Sequence, residues 1–226
     1  MIRHATLRAL PRPDRAEYAW APARVGVILG EPGPLAAALG KRLVARGWRV
    51  EVVAPGVAEE PAALAARLAA LGPVGALISL APRRVAPATA SVADALLGDP
   101  RDEAWLLTQF RIARQLSAAL HAPGADRAWF VAVTRLDGRL GLAPTPRGAG
   151  VVVAGVHGLV KSLRLEWPAV FCRAIDLHPA LDAAFAAERI VDELHDPDRT
   201  LGEVGHDAAG RWTIATTGAE VDVADA

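Results

Sequence analysis

Short uninterrupted runs of apolar residues alternate along the chain with longer segments whose apolar residues recur every three or four positions. Such runs predict strands buried on both faces of a parallel sheet, and the longer segments predict amphipathic helices that cover it. The predicted strands are 24–29, 48–53, 74–80, 129–134 and 170–176. The predicted helices are 34–47, 61–71, 102–120, 149–166 and 179–195. This alternation predicts an α/β fold with a doubly wound, mostly parallel Rossmann-like sheet in a single domain.

The two ends of the chain depart from this pattern. Residues 2–10 predict a short edge strand, which makes 1–23 an N-terminal edge strand and linker ahead of a domain at 24–217. The acidic residues 218–226 predict a frayed tail. Residues 81–100 and 137–150 predict long loops, and residues 201–216 predict a closing strand and hairpin.

The composition narrows the class of protein. Of the 226 residues 52% are hydrophobic, enough for a large core, and the 25 basic residues balance the 25 acidic ones. This balance gives no electrostatic reason to expect nucleic acid as a partner. The single cysteine, Cys172, excludes an intrachain disulfide, and the histidines show no pair at metal-ligand spacing. We find neither a signal peptide nor a membrane-length apolar segment, and therefore expect a cytoplasmic protein with no metal and no membrane partner.

The turn after the first strand of the regular pattern is where a Rossmann-like fold holds a phosphate. It reads Leu-Gly-Glu-Pro-Gly-Pro-Leu over 29–35, so Gly30 and Gly33 are of the right type, but the third glycine of a dinucleotide fingerprint is missing. Its two prolines remove backbone N–H donors, and Glu31 adds a negative charge. We therefore interpret Gly30 and Gly33 as vestigial and expect no cofactor in this chain.

Later segments carry a family resemblance. The run Trp-Phe-Val-Ala-Val-Thr-Arg-Leu-Asp-Gly at 129–138 precedes Ala-Gly-Val-His-Gly-Leu-Val-Lys-Ser-Leu-Arg at 154–164, Val-Phe-Cys-Arg-Ala-Ile-Asp-Leu at 170–177 and Glu-Val-Gly-His-Asp at 203–207. In motif order and spacing, residues 24–216 resemble the ketoreductase region of type I polyketide and polyunsaturated fatty acid synthases. The resemblance implies two tandem halves that are similar to short-chain dehydrogenases/reductases. The first is a truncated structural half, and the second binds NADPH and carries the catalytic residues.

The resemblance also implies a Tyr-x-x-x-Lys pair on the helix after the fifth strand, where the tyrosine protonates the substrate carbonyl and the lysine supports it. Matching that motif places His157 at the tyrosine position and Lys161 at the lysine position, and the catalytic serine falls near Thr134. The only tyrosine is Tyr18, and the chain has no asparagine for the fourth catalytic role. The resemblance therefore implies a structural, catalytically inactive half, whose NADPH-dependent partner half we expect beyond Ala226.

Two alternatives stay open. One is an atypical NADPH-dependent β-ketoacyl reductase that uses Thr134, His157 and Lys161, since an imidazole can donate a proton near neutral pH. The other is a stand-alone protein-interaction module of a synthase. For a structural half, the resemblance implies packing against the catalytic half, or pairing of two copies, through helices 102–120 and 149–166, which correspond to the usual dimer interface of short-chain reductases.

Without catalysis, the same side chains have ordinary structural roles. We expect His157 to pack near the loop at 138–150 and Lys161 to be solvated or to pair with an acidic residue such as Asp137 or Glu166. We expect Cys172 to act as a small hydrophobe in a buried strand.

Overall fold

The apolar runs of the sequence form the strands of one sheet. The computed structural model describes residues 2–55, 60–82, 100–122, 127–143 and 152–219. In this part of the chain the strands are β1 Ile2–Leu10, β2 Val25–Leu29, β3 Val50–Val53, β4 Val74–Leu80, β5 Ala128–Thr134, β6 Val170–Leu177, β7 Glu203–His206 and β8 Arg211–Ala219. The helices are α1 Pro34–Val44, α2 Pro61–Ala70, α3 Pro100–His121, α4 Gly155–Glu166 and α5 Ala183–Leu194.

The strand order confirms the predicted doubly wound sheet. It is β1-β8-β7-β6-β5-β4-β2-β3, and all pairs from β3 to β7 are parallel. Only β8 runs antiparallel to its neighbours, β7 and β1. The chain moves outward from β2 to β3 and then returns to β4 on the other side of β2. The carboxyl ends of β2 and β4 therefore flank the switch point of the sheet, where ligands of such folds bind.

Helices cover both faces of the sheet, which explains why the central strands read as continuous apolar runs. On one face, the buried residues of α2, α3 and α4 include Leu64, Leu68, Ile112, Leu116, Val156 and Val160. On the other, the buried residues of α1 and α5 include Leu39, Leu43, Ile190 and Leu194. Successive residues of β4 alternate between the two layers: Leu77 belongs to the first, and Ala76 and Ile78 belong to the second.

Several element boundaries differ from the sequence expectation. The helix expected at 179–195 begins only at Ala183, because the Asp182 carboxylate caps it by accepting the N–H groups of Ala184 and Phe185 at 3.0 and 2.9 Å. Strand β8 continues to Ala219, into the segment expected as a tail, because it pairs with β1 along its whole length.

Parts of the expected loops and helix starts lie outside the described residues. These parts are 83–99 of the loop at 81–100, 144–150 of the loop at 137–150, 149–151 of the helix at 149–166, and 220–226 of the tail.

Candidate functional site

A crevice of about 510 Å³ opens at the carboxyl ends of the central strands. Its walls are the turn from Glu31 to Ala36 after β2, Leu80 to Pro82 after β4, Arg135 after β5, and Pro179 to Ala183 after β6. The crevice thus lies at the switch point of the sheet, the place where this fold class binds its ligands.

The two glycines of the first turn have different surroundings. A Cβ on Gly30 would lie 3.0 Å from Leu80 Cβ and 3.2 Å from the Leu80 carbonyl oxygen, so this glycine is needed where β2 approaches the end of β4. Gly33 has an extended backbone with φ −174°, and a Cβ there would meet only the Glu31 carbonyl oxygen, at 4.0 Å. Gly30 is therefore retained for packing, whereas Gly33 lies on the wall of the crevice.

The start of α1 offers little to a phosphate. Gly33 is its N-cap, with no side-chain hydrogen bond, and Pro34 supplies no N–H. Only the N–H groups of Leu35 and Ala36 remain, because Ala37 already donates to the Gly33 carbonyl oxygen at 2.9 Å. Glu31 is exposed and lines the same crevice, where its negative charge disfavours an anion. This residue set is a poor fit to a dinucleotide pyrophosphate.

The structure brings together two of the three sequence candidates, on β5 and α4. Thr134 Oγ1 lies 3.0 Å from His157 Nε2, and it donates to Asp176 Oδ1 on β6 at 3.0 Å. A hydroxyl has one proton, so the bond to His157 requires that Nε2–H donates to Thr134. The Thr134 side chain is fully buried and His157 is 7% exposed. His157 therefore contacts the ends of β5 and β7 rather than presenting its imidazole to solvent.

Lys161 joins the same network through an acidic residue that the sequence did not suggest. Its Nζ lies 3.0 Å from Glu203 Oε1 on β7, and His157 Nδ1 lies 3.4 Å from Glu203 Oε2. The expected pairing of Lys161 with Asp137 or Glu166 is wrong, because one turn of α4 places Lys161 and His157 on the face that contacts β7. Burial acts to raise the pKa of Glu203, but hydrogen bonds from His157 and Lys161 outweigh it and lower that pKa.

Two aspartates organise the loop that follows β5. Asp176 accepts the N–H groups of Leu136 and Leu140 at 2.8 and 3.0 Å, and burial raises its pKa. Asp137 accepts three further backbone N–H groups of the loop, those of Arg139, Gly141 and Ala143. Burial acts to raise the pKa of Asp137, but these three bonds outweigh it and lower the pKa. The pKa values of the two carboxyl groups therefore shift in opposite directions, upward for Asp176 and downward for Asp137.

A hydroxyl, an imidazole and a carboxylate in this order resemble a nucleophilic triad, but the bonds run the wrong way. In such a triad the hydroxyl donates to the imidazole, which removes its proton. Here the proton of Thr134 is directed to Asp176, and the imidazole donates to Thr134. The described residues also contain no group of three His, Cys, Asp or Glu placed to hold a metal ion. The network can hold four elements together, and nothing in its geometry activates a nucleophile.

A second charged cluster was missed by sequence reasoning. Arg173 of β6 is fully buried, and its Nη1 lies 2.6 Å from Glu193 Oε2 and 2.7 Å from Asp196 Oδ2. Arg211 Nε and His206 Nε2 also reach Glu193, at 2.7 and 2.9 Å. Burial acts to raise the pKa of Glu193, but the bonds from His206 and Arg211 lower it to about 2. The sequence carried one signal of this cluster, which is the position of Arg173 in the middle of an otherwise apolar strand.

Cys172 lies beside Arg173 in β6, is buried, and makes no disulfide. Burial raises the pKa of its thiol to about 12, so the thiolate that would react is strongly disfavoured. The residue behaves as the small hydrophobe that its place in an apolar strand indicated. Within the described residues, no helix has the length and apolar character to span a membrane.

Three solved structures illustrate what the chain is similar to. One contains the adenylation, ketoreductase and pseudo Asub domains of a keto acid-selecting NRPS module, with 16% identity over 95% of this chain and 18% of that chain, and a TM-score of 0.70. The second is an A-type ketoreductase from a modular polyketide synthase, with 22% identity over 98% of this chain and 43% of that chain, and a TM-score of 0.60. The third is a short-chain dehydrogenase/reductase from Serratia marcescens, with 16% identity over 80% of this chain and 94% of that chain, and a TM-score of 0.57.

No protein-family model and no curated protein matches the chain. The chain spans less than half of the length of the two synthase-derived structures and nearly the whole length of the single reductase. These likenesses agree with the doubly wound, mostly parallel sheet of this chain. The chain therefore has the short-chain dehydrogenase/reductase-like fold on which ketoreductase regions of synthases are built.

Proposed function

We propose that this chain is the structural, catalytically inactive half of a synthase ketoreductase region, which packs against an NADPH-dependent catalytic half and stabilises it. One observation carries the proposal: Thr134 and His157, at the places of the family's catalytic residues, are bonded to each other and closed off from solvent. A general acid must reach the substrate carbonyl directly or through one water. Lys161, the third candidate, is bound to Glu203.

The cofactor part of the proposal rests on the first turn. This chain binds no NADPH by itself, and the cofactor belongs to the catalytic half. The proposal is supported by the small number of backbone donors at the start of α1 and by the charge of Glu31. The crevice walls also include Pro32, Pro34, Pro82 and Pro179, which can donate no N–H.

The surface of α3 and α4 is the proposed contact with the catalytic half. Phe110 and Leu107 of α3 are 57% and 47% exposed, and Leu165 of α4 is 74% exposed. Between the two helices lies a groove of about 280 Å³, lined by Phe110, Leu159, Leu163 and Trp167 among others. An apolar groove lined by an exposed aromatic side chain, with further exposed apolar side chains on the same two helices, is typical of a protein interface.

Co-expression tests the pairing. We expect this chain to co-purify with the catalytic half of a ketoreductase region and to raise its reductase activity or its melting temperature. The double variant Phe110→Lys, Leu165→Lys should abolish co-purification, because it places two charges in the desolvated contact. The matched control is Val44→Lys, since Val44 is also 57% exposed but lies on α1, on the opposite face of the sheet.

Failure of the chain and the catalytic half to co-elute, with no gain in activity, would contradict the structural half and favour the interaction module. Calorimetry with NADPH separates the third possibility. We expect no measurable binding to the isolated chain. Micromolar binding, together with turnover of a β-ketoacyl thioester that is lost in His157→Phe, would instead establish the atypical reductase.

A further inference from the structure

A second cavity, of about 260 Å³, lies apart from the crevice and from the α3–α4 groove. It forms where the segment after β1 passes over the start of α5 and the turn between β7 and β8. Its walls include Arg12 and Pro13, Phe185 and Arg189 of α5, and Asp207 and Arg211 beside the turn. Three arginines thus converge on one small cavity, with one carboxylate among them.

Arg189 is only partly satisfied by the protein. It is 5% exposed, and its Nη2 lies 2.7 Å from Glu188 Oε1 and 3.3 Å from Asp192 Oδ2. Both carboxylates are shared with another arginine: Arg42 approaches Glu188 to 3.7 Å, and Arg15 binds Asp192. Arg189 Nε is buried without a hydrogen-bond partner in the part of the chain that the structure describes. A buried guanidinium with an unused donor is costly unless a further acceptor is supplied.

The guanidinium of Arg189 is also held in place. Its Cζ lies 4.8 Å from the centroid of the Phe185 ring. Phe185 is one turn earlier in the same helix and lines the same cavity. Stacking on an aromatic face fixes the plane of the guanidinium group, and of its nitrogens only Nη2 is bonded to a carboxylate of the described residues. The arginine is therefore preorganised rather than free to turn to solvent.

The carboxylate in the cavity wall does not neutralise these charges. Asp207 already accepts from Arg139 Nε at 2.6 Å, from Trp212 Nε1 at 2.9 Å, and from the N–H groups of Ala209 and Gly210. Arg12 is exposed and makes no ion pair with any described residue. The wall therefore presents the unpaired charge of Arg12 next to the incompletely paired charge of Arg189.

We propose that this cavity binds a phosphate group, held between the guanidinium groups of Arg12 and Arg189. Two guanidinium groups match a doubly charged tetrahedral anion, because each can donate to a different pair of phosphate oxygens. The volume exceeds that of the ion itself, so a phosphate monoester with a small organic part fits as well as free phosphate. The site shares no lining residue with the crevice and is independent of the function proposed above.

Phosphate titration of the whole chain tests this site. We expect inorganic phosphate to raise the melting temperature saturably, relative to sodium chloride at the same ionic strength. Arg12→Gln should raise the half-saturating phosphate concentration about tenfold, because one charge-assisted hydrogen bond to the phosphate is lost. Because Arg12 is exposed and unpaired, this variant leaves the fold intact. Arg49→Gln is the matched control, since it removes the same charge from an exposed position before β3.

The outcomes are distinct. If phosphate and chloride act alike, or if Arg12→Gln and Arg49→Gln weaken phosphate binding equally, the site does not exist. Glycerol 3-phosphate separates the two sources of the phosphate group. Tighter binding of the monoester would assign the remaining volume to its organic part, and equal or weaker binding would assign the site to free phosphate. NADPH binding and co-purification with a catalytic half do not depend on either result.

Discussion

The hydroxyl of Thr134, which the sequence offers as a candidate catalytic group, is held inside the protein by two polar neighbours. Its proton is directed to Asp176, and its lone pair accepts from His157, so both polar neighbours are satisfied within the protein. The residue is fully buried, where an unpaired polar group is expensive. The same atoms that could have formed a reacting centre therefore contribute to stability, and a stability measurement can show it.

Replacing Thr134 by valine keeps the volume and removes the hydroxyl. His157 Nε2 then loses its acceptor and Asp176 loses a donor, so we expect the free energy of unfolding to fall by about 1–3 kcal/mol. Thr216→Val is the control, because Thr216 is exposed on β8 and should change stability by less than about 0.5 kcal/mol. Urea unfolding followed by tryptophan fluorescence measures both. Equal losses in the two variants would mean that the Thr134 hydroxyl has no stabilising role.

Glu193 is the residue on which the buried cations depend. Glu193→Gln leaves Arg173 and Arg211 with Asp196 as their remaining carboxylate within the cluster, and we expect a loss of about 3–5 kcal/mol in the free energy of unfolding. Glu188→Gln makes the same change five residues earlier, at a side chain that is 35% exposed, and should cost less than about 1 kcal/mol. Urea unfolding at neutral pH separates the two. Similar small losses would show that the buried cluster is not stabilised by its charge.

The loss of folding stability at low pH is expected to depend on the same carboxylate, that of Glu193. In the folded chain the pKa of Glu193 is about 2, against an ordinary value of 4.5, so the unfolded chain binds the proton more readily. This contribution, about 3 kcal/mol, is therefore complete above pH 4.5 and is lost as pH falls from there toward 2. Urea midpoints measured between these limits should fall less steeply in Glu193→Gln than in the parent chain. Parallel pH profiles would contradict the assignment.

At the scale of elements, the two helices on the same face of the sheet begin in different ways. Helix α5 has a side-chain cap in Asp182, whereas α1 begins at Gly33 with no side-chain cap. The uncapped start of α1 is where this fold class holds a phosphate, and here Pro34 supplies no N–H and Glu31 adds a negative charge. The capped helix should therefore show the larger response to a change at its first position.

Asp182→Ala should lower the free energy of unfolding by about 1 kcal/mol, because the N–H groups of Ala184 and Phe185 lose their acceptor. Asp182→Asn preserves an N-cap acceptor and should remain close to the parent chain. Thermal unfolding by circular dichroism measures both variants. A loss in the asparagine variant as large as in the alanine variant would assign the effect to the charge of Asp182 rather than to capping.

The order of strands and helices could be predicted from the sequence because the central strands are buried on both faces and read as unbroken apolar runs. The start of α5 could not be predicted, because the residues before Asp182 continue the apolar pattern. The helix begins only after Asp182, whose carboxylate caps it. The partner of Lys161 could not be predicted either. Glu203 is 42 residues away and reaches Lys161 only because β7 pairs beside β6, next to α4. Local sequence patterns therefore determine the helices and strands, whereas the contacts of the candidate site depend on how distant elements pack together.

At the scale of the whole molecule, the two faces of the sheet are covered unequally. On the face of α1 and α5, the two helices pack against each other and against Trp48, Trp129 and the linker residue Trp20. The rings of Trp20 and Trp48 stack, and the ring of Trp129 is tilted against that of Trp48. On the other face, α3 and α4 leave between them a groove whose rim includes Phe110, which points outward. Exposed apolar area of this kind drives association when no other partner is present.

The isolated chain should therefore form dimers through α3 and α4 as its concentration rises. Sedimentation velocity over a wide concentration range should show a shift from monomer to dimer in the parent chain and in Val44→Lys. The double variant Phe110→Lys, Leu165→Lys should remain monomeric, since a twofold contact would bring both sets of lysines into the same desolvated patch. A parent chain that stays monomeric throughout would show that this surface does not pair two copies. A dimer that survives the double variant would place the contact elsewhere, for instance at the edge strand β1, whose outer side is unpaired within the described sheet.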